Sequence, residues 1–295
     1  ALSAARRLDY PRERLEIIIA RGQQPSVQRN AALRAARGEL IYFLDDDSIA
    51  PPDNLRRAAP HFSDDGVQMA GGPNLCPADA PALEQIFALA LASWIAFGPS
   101  RARYTPVGKL RVTGEKELIL CNLIARRAAL LELGGFDEAL YPNEENALMD
   151  ELQRRGGRLL YDPEFFIYRR PRRTIKAFAK MLLNYGRGRA EQFRAHPTCG
   201  STLNFAPPLF CVFLATLPWL GKTGMAALAI YGLAILIQAA ILMPRGGVWR
   251  SLAAIPFIML THILYGLGFW RGLFTRLNRG ANKPVVEVAL EIIAH

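Results

Sequence analysis

Cysteine is scarce here and follows no pattern. Cys76, Cys121, Cys199 and Cys211 fall into no CxxC or finger spacing, so neither a disulfide framework nor a zinc site is indicated, and a reducing compartment is compatible with all four. Internal repeats, long low-complexity tracts and a secretory signal are also missing; the opening ALSAARR is too polar to be a signal peptide. Acidic residues are outnumbered, 26 against 36 Lys and Arg, giving a net charge of +10 and a pI near 9.8. No nucleic-acid motif accompanies that charge, which sits largely beside apolar stretches, so a membrane surface is the better partner and nucleic acid is not expected.

Long apolar runs are what the chain does have. Leu203–Leu220, Gly224–Met243 and Leu252–Leu273 carry very few charges, and the second is a strong transmembrane candidate by length. Pro207, Pro208 and Pro218 interrupt the first, which leaves spanning, re-entry and an interfacial position open. His262 in the third reads as a packed or interfacial histidine bonded to a neighbour. Arg271, Arg276, Arg279 and Lys283 favour a cytosolic tail and therefore an even number of crossings, as in a hairpin with the first segment in-plane. The expected division is an α/β domain over 1–200, a membrane domain over 201–275 and a basic tail over 276–295.

The most informative stretch is LIYFLDDDS, Leu40–Ser48: an apolar run ending in Asp45, Asp46 and Asp47. It reads as a strand buried in a parallel sheet, with its acids at the carboxyl end where open α/β sheets bind ligands. Asp45 and Asp47 are the better pair for Mg2+ or Mn2+, hard ions that keep places for phosphate oxygens and water. The plainer alternative is an acidic turn that solvates a loop end or caps a helix. Upstream, Pro25–Gly38 reads as a helix ended by glycine. Downstream, Asn146–Arg155 reads as an amphipathic helix with Leu148 and Leu152 inward, ended by Gly156 and Gly157. Glu144 and Glu145 stand at its amino end, where complementing the helix dipole is one role and accepting a proton from an attacking hydroxyl is another.

The order RNAALRAARGELIYFLDDDS, then GGFDEALYPNEENALMDELQRRGGRLLYDPE, resembles the family 2 inverting glycosyltransferases. That resemblance, over roughly residues 10–195, implies a GT-A fold, a Rossmann-like mixed sheet, with C-terminal transmembrane helices after it. It implies a nucleotide-sugar donor, a metal motif on Asp45 and Asp47 with Asp46 beside them, and a catalytic base at Glu145 with Glu144 orienting or contacting the acceptor. The resemblance is to the membrane-attached enzymes of exopolysaccharide assembly, of the succinoglycan type. It implies a lipid-linked saccharide acceptor and a catalytic domain on the cytosolic face of the inner (plasma) membrane, on a multi-pass chain. A polyprenyl-phosphate sugar synthase and a catalytically inert membrane scaffold are the alternatives.

The departures from that family are specific. Ala1–Tyr10 resembles the end of the family's first helix, so the first strand and its nucleotide-contacting turn are expected to be missing, as in a fragment of a longer chain. After LEIIIA, Leu15–Ala20, many relatives carry an aspartate that contacts the base; here Arg21–Gly22 follows. Arg169 stands where many relatives have a histidine, and guanidinium cannot ligate a cation. Either metal binding rests on Asp45 and Asp47, or phosphate charge is met by arginine. In Tyr185–Arg189, a glycine-flexible backbone with guanidinium forks makes Arg187 and Arg189 candidates for diphosphate contact, against an ordinary solvated basic face. No QxxRW motif occurs, which favours transfer of a single sugar over processive synthesis. Cys121–Asn122 is expected to end a strand over Glu117–Cys121; the resemblance implies a place lining the donor-sugar or acceptor pocket, and a structural turn is the equal alternative.

Overall fold

In a computed structural model, which describes residues 1–138, 143–195, 204–275 and 287–294, the apolar runs become short strands and the mixed runs helices. In chain order these are α1 (Leu2–Ala5), β1 (Glu16–Arg21), α2 (Pro25–Ala35), β2 (Leu40–Leu44), α3 (Asn54–Ala58), β3 (Val67–Gly71) and β4 (Asn74–Leu75). Then come α4 (Ala82–Leu91), α5 (Trp94–Phe97), β5 (Arg111–Thr113), β6 (Asn122–Arg126), α6 (Arg127–Glu132) and α7 (Glu144–Arg154). The last elements are β7 (Arg158–Tyr161), β8 (Ile167–Tyr168), α8 (Ile175–Ala195), α9 (Ala206–Phe274) and β9 (Ala289–Ala294). They divide into an α/β unit of residues 1–75, 102–169 and 278–295, and a helical unit of residues 76–101 and 170–277.

The α/β unit is built on a mixed five-stranded sheet of order β2-β6-β3-β7-β5, in which only β3 and β7 run parallel. Side chains alternate between its faces as strand geometry requires. Met69, Leu123, Ala125, Leu159 and Tyr161 pack on one face with Leu148, Met149 and Leu152 of α7, while Ala70 and Ile124 pack on the other with Leu55, Phe62 and Phe165. Burying each of these leucines contributes roughly 1.5–3 kcal/mol, which fixes the register of α7 and hence the position of the acids in its first turn.

Two local expectations are corrected. β2 is not a buried parallel strand: it runs antiparallel to β6, has no second partner among the described residues, and is half-buried throughout. Glu117–Cys121 is a turn, and the strand begins at Asn122, because the fully apolar Leu123–Ala125 run is what fills both faces of the sheet. The run from Tyr161 to Tyr168 divides at Asp162, whose side chain accepts from the Glu164 N–H at 2.9 Å and turns the backbone away from the ladder. The end of the chain supplies a strand that the sequence did not suggest: β9 pairs antiparallel with β1, Glu16 facing Ala294 and Arg21 facing Ala289. Cys199, Leu203, Arg276, Arg279 and Lys283 lie outside the described residues.

In the helical unit, α8 is continuous through Tyr185–Arg189, so its glycines serve packing and not flexibility. A Cβ on Gly186 would lie 2.0 Å from the Tyr265 carbonyl oxygen, and one on Gly268 would lie 2.2 Å from that of Leu183, so α8 and α9 approach closely enough to admit only hydrogen at these points. Phe87, Phe178 and Phe257 fill the adjoining space, the first two stacked at 4.3 Å. Among the described residues α9 is the one helix long and apolar enough to cross a membrane. It is no straight rod: Gly221 (φ 53) and Gly247 (φ 72) break it into stretches 206–220, 222–246 and 248–274, which fold back on each other. Trp270 Nε1 donates to the Pro208 carbonyl at 3.1 Å. His262 is packed as expected: Nε2 lies 2.9 Å from the Ile95 carbonyl and Nδ1 lies 2.8 Å from the Tyr231 hydroxyl. In a neutral ring the first nitrogen donates and the second accepts, so both are satisfied.

Asn30 of α2 ties that helix to the turn before α7. Its amide donates to the Phe136 carbonyl (2.9 Å) and accepts from the Phe136 N–H (2.8 Å), both buried. Asn30→Ala orphans both backbone groups and is expected to cost roughly 2–4 kcal/mol in unfolding free energy, measured by denaturant titration of the detergent-solubilised chain.

Candidate functional site

β2 ends at Leu44 and the chain turns at once, the Ser48 N–H donating to the Asp45 carbonyl at 3.0 Å. Ile49 then exchanges two backbone hydrogen bonds with Tyr168, at 2.8 and 2.9 Å, which fastens the acidic turn to the end of β8. The next residue is Arg169, held by its own N–H on the Leu75 carbonyl at 2.9 Å. Its guanidinium spans the two acids predicted to hold metal: Nη1 is 2.9 Å from Asp45 Oδ2 and Nε is 2.6 Å from Asp47 Oδ1. Asp46 is exposed. Behind Arg169 lies the buried Cys121 thiol, which burial pushes up to about 11 and keeps neutral.

A second guanidinium continues the chain of charges. Arg29, in the first half of α2, places Nη1 2.5 Å from Glu144 Oε1 and Nη2 3.8 Å from Asp45 Oδ1. Glu144 and Glu145 occupy the first turn of α7, entered through Asn143 in a left-handed conformation at φ 97. Glu144 is 3% exposed, and its Oε2 has no hydrogen-bond partner among the described residues. Burial first, and then the neighbouring Glu145, push its carboxyl up to about 7, with Arg29 pulling the other way. Glu145 is half-exposed; Asn146 donates toward it at 3.5 Å and is itself set by Arg103 at 2.7 Å.

Asp47, Arg169, Asp45, Arg29 and Glu144 thus form one continuous line of alternating charge, with Glu145 next to its end. The structure brings these predicted acids together. Arg187 and Arg189 lie elsewhere in the chain's organisation, on α8 of the helical unit, beside Glu191 (3.5 Å) and Gln192 (3.1 Å). Asn122 is framework: it accepts from Tyr42 Oη at 2.9 Å and donates to the Phe165 carbonyl at 2.6 Å. Arg29 and Arg103 were not singled out from the sequence. The one available signal was an arginine in a helix directly preceding the acid-tipped strand.

The donor chemistry of Asp45 and Asp47 fits a hard divalent cation that completes its shell with phosphate oxygens and water. Among the described residues no group of three or more His, Cys, Asp and Glu side chains is placed to hold a metal ion without such help.

The profile of the family described as "Glycosyltransferase like family 2" matches residues 2–185. The succinoglycan biosynthesis protein ExoA of Rhizobium meliloti (strain 1021) is 26% identical over 269 residues, 88% of this chain and 77% of that protein. A pre-mycofactocin glycosyltransferase of Mycobacterium tuberculosis is 25% identical over 175 residues, 59% of this chain and 36% of that protein. Among solved structures, a Pyrobaculum calidifontis mannosyltransferase in complex with GDP-Man and Mn2+ superposes with a TM-score of 0.46 and 20% identity, covering 86% of this chain and 67% of that one.

The raised Glu144 carboxyl makes stability depend on pH in a definite direction. The folded state holds this proton up to about pH 7 and the unfolded chain only to its ordinary value of 4.5, so the contribution is complete below about pH 4.5 and is lost as pH rises through 7. A shift of that size corresponds to on the order of 3 kcal/mol across the window. Thermal unfolding from pH 4.5 to 7.5 should show this component in the wild type and lose it in Glu144→Gln; equal slopes in the two proteins contradict it.

Proposed function

The chain belongs to the glycosyltransferase like family 2, and on that premise we propose that it moves one sugar from a nucleotide-diphosphate donor to a membrane-associated saccharide acceptor with inversion. The observation that carries this reading is the convergence of Asp45 and Asp47 with Glu144 and Glu145 through Arg29 and Arg169. Asp45 and Asp47 would hold a divalent cation, Mg2+ or Mn2+, which supplies positive charge to the departing diphosphate. Glu145, the more accessible acid, accepts the acceptor hydroxyl's proton as that oxygen bonds to the anomeric carbon and the bond to the diphosphate oxygen breaks. Glu144, pinned by Arg29, orients Glu145 and the acceptor. The likeness to a succinoglycan biosynthesis protein supports a growing, lipid-linked surface polysaccharide as the acceptor.

Membrane attachment follows from α9. The α/β unit contributes residues both before and after it, with β9 paired on β1, which supports the reading that this polar unit stays on one face of the bilayer. The apolar stretches therefore cross an even number of times, as a hairpin with one stretch in-plane. Sugar nucleotides place the α/β unit in the cytosol, at the inner (plasma) membrane.

Two measurements test this. In a thermal-shift screen of the detergent-solubilised chain with UDP, GDP and dTDP, one nucleotide should stabilise in the presence of Mn2+, by about 2.7 kcal/mol at one hundred times its Kd, and Asp47→Ala should abolish the effect. No stabilisation of a folded sample by any of them would sink the transferase reading. A green fluorescent protein fused after His295 should fluoresce and an alkaline phosphatase at the same point should be inactive; an active phosphatase there means an odd number of crossings.

A further inference from the structure

Asp45 and Asp47 are not free acids waiting for a cation. Arg169 Nη1 and Nε contact one carboxylate each, and the other Asp45 oxygen faces Arg29 at 3.8 Å. A divalent ion held between Asp45 and Asp47 would stand beside a guanidinium that already bridges both carboxylates at 2.9 and 2.6 Å, and like charges repel one another in that space. Arg169 is also not an adventitious surface partner. Its backbone is locked at the end of β8 through Leu75, its side chain is only 24% exposed, and it rests on the Cys121 thiol.

Building on the transferase reading, we propose that Arg169 is an exchangeable counter-cation of the donor site. It bridges Asp45 and Asp47 in the resting chain, yields those oxygens to the divalent cation, and turns its fork onto the donor's diphosphate. The planar guanidinium matches two phosphate oxygens as readily as two carboxylates, so the released group finds an equivalent partner only when the diphosphate is present. Cation and diphosphate therefore bind with mutual reinforcement. The cation alone has to displace an ion pair with nothing in return, and the diphosphate alone finds Arg169 already engaged. By reciprocity the coupling is the same whichever ligand comes first.

Mn2+ binding to the full-length chain in detergent, followed by electron paramagnetic resonance with and without inorganic pyrophosphate, tests this. Arg169→Gln should bind Mn2+ alone about tenfold more tightly than the wild type, a normal size for such a coupling. It should also lose most of the gain in Mn2+ affinity that pyrophosphate gives the wild type. Asp47→Asn in the Arg169→Gln background should remove the tightened binding, which ties it to this site. Arg169→Lys, which keeps the charge but cannot bridge both carboxylates, should fall between and serves if the glutamine variant does not fold. A merely structural arginine predicts weaker Mn2+ binding on removal, so unchanged or weaker binding by a folded variant overturns the proposal. If pyrophosphate and Mn2+ bind together in the wild type and the variants behave alike, Arg169 alone loses its role. If neither binds to the folded wild type, the donor-site reading fails with it.

Discussion

Two arginines make the acid cluster possible. Asp45, Asp47, Glu144 and Glu145 arrive from two segments nearly a hundred residues apart, and Glu144 arrives with almost no access to water. Carboxylates gathered this way repel, and removing one from solvent costs several kcal/mol unless a cation stands against it. Arg29 and Arg169 stand in the two gaps of the line, each touching two acids. Both are fixed by structure remote from the acids themselves. Asn30, the next residue after Arg29, is bonded to Phe136, and Arg169 hangs from the pairing of β8 with β4. Apolar core, sheet pairing and these hydrogen bonds set the frame, and the site geometry depends on the carboxylate–guanidinium contacts held within it.

What the sequence made legible was local. The apolar run of β2 with its acid tip, the amphipathic pattern of α7 and the acids in its first turn are each contained within about ten residues, and each lies where its pattern puts it. What it concealed was non-local. Nothing in LIYFL says that its neighbour is β6, eighty residues on and antiparallel, because a half-buried and a fully buried short apolar strand have the same composition. The Arg29–Glu144 contact spans 115 residues and has no spacing signature. Gly186 reads as flexibility from sequence alone; in a helix packed this closely it instead marks the point where two backbones meet.

The helical unit satisfies its polar groups by equally particular means. The chain turns between α4 and α5, which frees backbone groups of Ile95 in an apolar setting. His262 takes the carbonyl and Gln238 the N–H, at 2.9 and 3.3 Å. The buried Glu84 is matched by both arms of Arg170, at 2.5 and 2.6 Å. His262, Gln238 and Arg170 each answer a buried group in this unit, as burial away from water demands, so none of the three needs a catalytic role to explain its place.

Charge balance at the acidic site supports the exchange proposed for Arg169. With all four acids ionised, two guanidiniums leave an excess of two negative charges, the deficit that one divalent cation makes good. Glu144 lowers that excess by holding its proton toward neutral pH. A donor diphosphate arriving first would meet carboxylates whose arginines are engaged; a cation arriving first would have to separate Arg169 from its partners. On the proposed exchange, the two arriving together would each remove the obstacle to the other, the cation taking the carboxylate oxygens and the diphosphate the guanidinium. On that proposal the empty site is only partly neutralised, by its two arginines, and its full electrostatic complement is assembled only around a diphosphate. That condition suits a leaving group whose departure must be assisted inside the bound complex and nowhere else.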